Sequence, residues 1–147
     1  MTNEATPGLA LVIGGTGGIG AALAHGLRTR GHEVLAVGRH TEPALDYDRD
    51  HTVADLAAQV AARIERTGLP LRHLIVATGI LHDGAVQPER SWAHLDATAL
   101  QRLFQVNTIG PALVMRHLLP LLPRQGRCMA AFLSARVGSI GDNALGG

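Results

Sequence analysis

The chain has 147 residues, which fits one domain and is too short for two substantial ones. Hydrophobic residues make up 46% and charged residues 17%, so a packed core is expected and wholesale disorder is excluded. The formal net charge of +1 and the aromatic content of 3% argue against nucleic acid or an anionic membrane surface as a partner.

The first apolar run, Leu9-Ala-Leu-Val-Ile13, ends in glycine and is typical of a buried parallel strand. An Ala/Leu-rich stretch to about Arg30 follows a glycine loop and predicts a helix that stops at Gly31. The later predicted elements are strand 34–37, a very short third strand 44–46, helix 52–66, strand 74–76, a long helix from about 98 to 122, and a fifth strand 129–133.

Alternating strands and helices with continuous apolar strands predict an α/β fold with a parallel sheet covered on both faces. The fifth strand is followed by a glycine-rich tail over 140–147, which leaves it as an apolar edge. We expect either a partner to cover this edge or the chain to be part of a longer protein.

Residues 7–24 carry no charge, but they contain six glycines, which argues against a membrane span or a signal peptide. The single cysteine, Cys128, is expected on the fifth strand of a protein from the reducing cytoplasm.

The glycine loop between the first strand and the first helix fits two spacings. Gly15, Gly17 and Gly20 satisfy GxGxxG, whereas Gly14, Gly18 and Gly20 satisfy GxxxGxG. Glycine lets the backbone approach a pyrophosphate, and the N–H groups of Thr16, Gly17, Gly18 and Ile19 would face the anion at the positive end of the helix dipole. Its position between a strand and a helix favours a dinucleotide site over a ligand-free tight turn.

Arg39 follows the second strand, at the place where a site for NAD usually carries an acidic residue. A guanidinium there would pair with a 2′-phosphate and lie against the adenine face. The sequence therefore predicts NADP(H) in preference to NAD(H), against the alternative that Arg39 is a solvated surface charge.

These features together resemble the short-chain dehydrogenase/reductase family, in particular its C-factor-like and carbonyl-reductase-like members. The motifs that carry the resemblance are Gly14-x-x-x-Gly18-Ile19-Gly20, Arg39, Leu45-Asp46, Ala77-Thr78-Gly79, Asn107 on the long helix and Ser134 after the fifth strand. The resemblance implies a Rossmann-like, doubly wound NAD(P)-binding fold, with residues 1–147 as its N-terminal part and the C-terminal side of the sheet incomplete. It also implies that Asp46 hydrogen-bonds the adenine and that Ala77, Thr78 and Gly79 lie beside the ribose.

The chain departs from the family pattern at several positions. Val76-Ala77-Thr78-Gly79 stands where the family often has Asn-Asn-Ala-Gly, so polar anchoring there is reduced. Six residues separate Arg39 from Asp46, too few for a helical crossover, and we expect a loop. Direct alignment puts alanine at the catalytic serine. A one-residue shift gives Ser134, and Ser139 is the other candidate.

The family's Tyr-x-x-x-Lys is absent from these residues, since Tyr47 is the single tyrosine and the chain contains no lysine. A tyrosine without a nearby cation to lower its pKa is a poor acid–base group at neutral pH. We therefore predict that this chain by itself has negligible dehydrogenase activity, although the family's reaction is hydride transfer between a nicotinamide and a small carbonyl or alcohol substrate. The alternatives are a non-catalytic nucleotide-binding or signalling protein and an inactive truncated product.

The long helix contains Asn107 four residues before Pro111, which has no N–H to offer the Asn107 carbonyl. The resemblance implies that Asn107 holds a water in a proton relay. The alternative is a packing kink with a solvent-facing amide.

Apolar residues surround the helix, which predicts burial on most sides, in the core or in a homo-oligomer interface. The eight histidines lack zinc-site spacing and are expected at the surface, so no metal site is predicted.

Overall fold

The computed structural model describes residues 7–49, 51–84, 88–89 and 91–142. These residues form a parallel sheet of four strands in the order β2-β1-β3-β4. The strands are β1 (Leu9–Ile13), β2 (Glu33–Val37), β3 (Leu71–Val76) and β4 (Met129–Phe132). The helices are α1 (Gly18–Thr29), α2 (His51–Thr67), α3 (Ala97–Phe104) and α4 (Gly110–Leu118), with a π-helical segment over Gln105–Ile109 between the last two.

All five residues of β1 are buried. Because alternate side chains along a strand point to opposite sides of the sheet, both faces of β1 are covered. Leu9, Leu11 and Ile13 belong to a large apolar cluster whose helical members come mainly from α2 and α4. Ala10 and Val12 pack on the other face with residues of α1. Helices thus cover both faces of a parallel sheet, which confirms the predicted α/β, Rossmann-like fold.

The predicted third strand at 44–46 is wrong, and the described sheet has four strands instead of about five. Ala44 makes a single isolated parallel bridge with Gly38. One bridge does not extend into a ladder, because the short segment turns away to begin the loop that leads to α2. The expectation that a loop, not a helix, joins Arg39 to Asp46 is confirmed.

The helix predicted over 98–122 changes its hydrogen-bond pattern in the middle. Across Gln105–Ile109 it is π-helical, and the Gly110 N–H donates to the carbonyl of Gln105, five residues earlier. This change immediately precedes Pro111, whose ring nitrogen cannot donate to a preceding turn. The wider π-helical turn accommodates a position that has no N–H donor, so the helix continues past Pro111.

Burial of this helix on most sides is not observed. The buried residues form one narrow stripe at four-residue spacing, Val106, Gly110, Val114 and Leu118. Other large apolar side chains, including Phe104 at 57% and Met115 at 45% exposure, remain open to solvent. The helix packs against the described fold along a single face, so its apolar composition overstates its burial.

Two smaller predictions are wrong in part: five of the eight histidines are exposed as expected but His32 is not, and Cys128 is not on the strand expected for it. His32 is buried, and His73 approaches it edge-on, with their Nε2 atoms 3.3 Å apart. Burial, together with the charges of His32 and Arg127, lowers the pKa of His73 below its ordinary value. Cys128 is half-buried and precedes β4 instead of lying on it, with its Sγ 3.8 Å from the Pro123 carbonyl oxygen.

Candidate functional site

A cleft of about 390 Å³ opens at the carboxyl ends of β1, β2 and β3. Parallel strands bring the ends of distant sequence segments to one edge of the sheet, and ligands of open α/β sheets bind at this edge. Eight of the residues predicted to bind a cofactor line it: Gly14, Thr16, Gly17, Arg39, Asp46, Ala77, Thr78 and Gly79. The fold therefore brings these residues together, and their binding role stays a prediction.

The glycine loop is shaped by two close backbone approaches. Gly14 has φ +80°, and a Cβ there would lie 2.9 Å from the carbonyl of Ala77. A Cβ on Gly20 would overlap the Gly14 carbonyl oxygen. Gly15 is buried beside Ala36. The loop therefore folds tightly against β2 and β3 only because these positions lack side chains.

The other loop positions face outward. Gly18 has no neighbour within 4 Å of an added Cβ, and Ile19 is 67% exposed. Gly17 caps α1, and its carbonyl accepts from the Ala21 N–H at 2.7 Å. The first-turn N–H groups of a helix have no acceptor within the helix, and this first turn contains no acidic residue. The arrangement is suited to an anion.

Arg39 and Asp46 lie at the β2 side of the cleft. Arg39 is exposed and has no carboxylate partner among the described residues, so its guanidinium is available to an anion. Asp46 accepts a hydrogen bond from the Asp48 N–H at 3.1 Å, and its other oxygen is 3.8 Å from Arg49. These contacts hold the turn that follows Asp46 while leaving the carboxylate at the cleft.

Tyr47 is part of the cleft wall, a position that the sequence analysis did not assign to it. Its ring is 6% exposed and packs against Gly110, where a Cβ would overlap the ring. The hydroxyl hydrogen-bonds Thr78 Oγ1 at 3.0 Å, and the Gln105 side chain donates to the Tyr47 carbonyl. Burial raises the pKa of Tyr47, an effect that the Thr78 hydrogen bond partly offsets. Tyr47 therefore joins the loop after β2 to the loop after β3, and is held neutral.

Arg102 of α3 also lines the cleft and was missed by sequence reasoning. It bonds to Asp48, 54 positions earlier, and to Asp83, 19 positions earlier. No local motif signals contacts across such separations, because they form only when α3 packs beside both loops.

Asn107 lies in the π-helical segment, and its side-chain amide makes two hydrogen bonds to the backbone of one residue. Nδ2 donates to the Ile80 carbonyl at 2.8 Å, and Oδ1 accepts from the Ile80 N–H at 2.9 Å. Asn107 is exposed, so its amide both faces solvent and bonds to Ile80, and its role in a proton relay stays a prediction. The side chain tethers the loop after β3 to the helix, because an amide offers both a donor and an acceptor and can bond to the N–H and the carbonyl of one residue.

Ser134 and Ser139 both lie beyond β4 and both are exposed. Val76 accepts from the Leu133 N–H at 3.0 Å, which brings the end of β4 beside the end of β3 at the cleft edge of the sheet. Ser139 follows a 3₁₀ turn over Arg136–Gly138. The catalytic assignment of either serine stays a prediction.

A larger cavity, of about 810 Å³, lies between α1 and the first residues of β3 and β4. Its lining contains none of the predicted site residues, so size alone does not identify the site. Within the described ranges, no group of three or more His, Cys, Asp or Glu side chains is placed to hold a metal ion. None of the helices in the described part of the chain is both long and apolar enough to cross a membrane.

Comparison with known proteins gives one family and one fold. The family model described as short chain dehydrogenase matches residues 8–145. The chain is similar to a short-chain dehydrogenase from Streptomyces avermitilis, with 24% identity over 90% of this chain and 51% of that one, at a TM-score of 0.72. It is also similar to the aldohexose dehydrogenase of Thermoplasma acidophilum, with 18% identity over 91% and 51% of the two chains and a TM-score of 0.73.

A carbonyl reductase from Pseudomonas aeruginosa is 25% identical over 93% of this chain and 65% of its own, with a TM-score of 0.71. The chain thus spans about half of the length of the Streptomyces and Thermoplasma proteins. Those two likenesses, below 25% identity, concern the fold alone. No curated protein matches the chain.

Proposed function

The chain belongs to the short chain dehydrogenase family, and from that premise we propose that it is the cofactor-binding part of an NADP(H)-dependent oxidoreductase. The proposed reaction is hydride transfer to or from a small carbonyl or alcohol substrate. The domain assignment is residues 1–147 as the N-terminal part of the fold, with 140–147 as a tail, of which 143–147 fall outside the described residues. We place the chain in the C-factor-like, carbonyl-reductase-like group, an assignment supported by Arg39 and by the likeness to the Pseudomonas carbonyl reductase.

The observation that carries the proposal is the cleft, which is lined both by Gly14, Thr16 and Gly17 of the loop that leads into α1 and by Arg39. A dinucleotide diphosphate fits the first, and a 2′-phosphate fits the second. The chemistry of the lining supports this assignment, because both features line one cleft, as the two anionic groups of one extended ligand require.

In this proposal the bound nicotinamide supplies or accepts the hydride. The glycine loop holds the diphosphate, Arg39 the 2′-phosphate and Asp46 the adenine, while Ala77, Thr78 and Gly79 lie beside the ribose. Small residues leave room there. Ser134, or alternatively Ser139, orients the substrate carbonyl and stabilises developing charge on its oxygen. Asn107 holds a water in the proton path through its main-chain carbonyl, since its side chain is occupied by Ile80.

The test is a titration of the purified chain with NADPH and with NADH, followed by calorimetry. NADPH is expected to bind more tightly. Arg39→Ala removes a charge-assisted contact and is expected to weaken NADPH binding by roughly tenfold, the lower end for such contacts because the side chain is exposed. NADH binding is expected to weaken less, because NADH has no 2′-phosphate and loses only the contact of Arg39 with the adenine face. Arg124→Ala, at an exposed arginine outside the cleft, leaves both affinities unchanged. A folded chain that binds neither coenzyme overturns the proposal.

A second candidate function, nucleotide binding without turnover, is favoured for these 147 residues by the state of Tyr47. Its hydroxyl is hydrogen-bonded to Thr78, burial raises its pKa, and the chain offers no lysine to lower it. We therefore propose that the 147-residue polypeptide binds dinucleotide with negligible turnover. Turnover by this polypeptide that is lost in Ser134→Ala would refute the second candidate.

We also propose that the helix at about 98–122 mediates homo-oligomer formation. Its exposed apolar side chains, Phe104, Ile109 and Met115, support an interface, since exposed large apolar groups favour association. Sedimentation of the wild type and of Phe104→Glu tests this, and a wild type that remains monomeric at high concentration excludes it.

A further inference from the structure

Three charged side chains at the mouth of the cleft form a single cluster, Arg102 with Asp48 and Asp83, here called the Arg102 cluster. The Arg102 Nη1 lies 2.7 Å from each carboxylate oxygen of Asp48. Its Nε and Nη2 donate to one oxygen of Asp83 at 3.2 and 3.0 Å. One planar guanidinium therefore uses three nitrogens on two carboxylates, a geometry that an ammonium group cannot reproduce.

The cluster joins three elements that border the cleft. Asp48 lies two residues beyond Asp46, on the loop after β2. Asp83 lies four residues beyond Gly79, on the loop after β3, and Arg102 lies on α3. Asp83 and Arg102 both line the cleft with the predicted cofactor residues. Arg102 thus links the two loops at a second point beside the Tyr47–Thr78 hydrogen bond, and both links bear on the width of the cleft.

Charge gives the cluster a second effect. Asp48 and Asp83 together carry two negative charges close to a cleft for which we propose a ligand with a diphosphate and a 2′-phosphate. Without Arg102 these carboxylates would repel such a ligand. Arg102 has 23% of its side chain exposed, against 53% and 37% for the two carboxylates, so the shared cation is the most enclosed member of the cluster.

We propose that Arg102 is a positioning residue for dinucleotide binding. It holds the loops after β2 and β3 at the spacing that the ligand needs, and its positive charge offsets one of the two negative charges of the carboxylates that flank it. Binding to loops already held in place loses less conformational entropy than binding to loops that must be ordered. This inference rests on the proposed function, since it concerns the ligand of the same cleft.

The test compares Arg102→Ala and Arg102→Lys with the control Arg124→Ala, using NADPH and adenosine 2′,5′-bisphosphate as probes. Affinity is measured by calorimetry, and melting temperature is measured without ligand. Arg102→Ala is expected to weaken both probes by about tenfold. Arg102→Lys is expected to recover part of the loss, because it restores charge without the forked geometry. Arg124→Ala is expected to bind as the wild type does.

Asp48→Asn with Asp83→Asn in the Arg102→Ala background separates the two effects. Removing the carboxylates is expected to restore the part of the affinity lost through repulsion, and the remainder measures positioning. If Arg102→Ala does not fold, Arg102→Gln, which keeps a donor at similar reach, takes its place with the same expectation.

Failure of the positioning role of Arg102 and failure of the proposed dinucleotide binding give different results. A wild type that binds NADPH while Arg102→Ala binds within twofold of it, with or without a lower melting temperature, overturns the positioning role and leaves the proposed function standing. A folded wild type that binds neither probe overturns the proposed function and this inference with it.

Discussion

Replacing Gly20 by alanine places a methyl group against the carbonyl oxygen of Gly14, the closest approach in the glycine loop. The obstacle is a backbone atom, and Gly14 itself is held at φ +80° against the carbonyl of Ala77, so the loop cannot move freely. Overpacking of this kind costs about 1–3 kcal/mol, and we expect the upper part of that range. For a chain of this size, 3 kcal/mol lowers the melting temperature by roughly 6–12 °C.

Gly18→Ala is the matched control for Gly20→Ala. Gly18 is in the same first turn of α1, has no positive φ, and has nothing within 4 Å of an added Cβ. Alanine there restricts the unfolded chain without a clash, so the free energy of unfolding is expected to stay unchanged or to rise by up to about 1 kcal/mol. Thermal and denaturant unfolding of both variants measure the difference. Equal stability of the two variants would refute the argument that close packing, rather than loop composition, requires Gly20.

Two further predictions concern anchors of the cleft. Burial raises the folded-state pKa of Tyr47 above its ordinary value of 10.0, so the stability that its neutral form contributes is present below about pH 10 and lost as pH rises through the folded pKa. The absorbance of tyrosinate measures that pKa directly, since the chain has a single tyrosine. Tyr47→Phe is expected to remove the contribution of this group to the alkaline pH dependence of unfolding. A folded-state titration of Tyr47 at or below pH 10 would contradict the expectation. Asn107→Ala leaves both backbone groups of Ile80 without their side-chain partner, and because water reaches this exposed site we expect a loss of about 1 kcal/mol in denaturant unfolding. An Asn107→Ala variant as stable as the wild type would show that the tether contributes nothing.

The parts of the fold that were predictable are those with a local physical signal. The apolar run Leu9–Ile13 specified β1, and Gly31, at φ +82°, stopped α1 where expected. Pro111 predicted an interruption of the helical hydrogen-bond pattern in the long helix. That the interruption is a π-helical segment depends on how the helix packs. The short segment at 44–46 carried a strand-like pattern but makes only one bridge, because the chain turns away after it.

The parts that were not predictable depend on contacts between distant positions. Tyr47 meets Thr78 and Gly110, and Arg102 meets two loops, so neither side chain has a neighbour in sequence that reveals its role. His32 directly precedes β2, and its buried ring lies between the Gly8 carbonyl oxygen, 3.3 Å from Nδ1, and His73, 3.3 Å from Nε2. Composition gave no reason to separate these two histidines from the other six.

The amino-acid order by itself determined the α/β alternation, the glycine loop and the set of residues at the strand ends, because strand burial and turn chemistry act over a few neighbouring residues. Tertiary structure alone decided how the loops that border the cleft are held, through Tyr47, Arg102 and Asn107, since those contacts form only after parallel strands bring distant segments to one edge of the sheet.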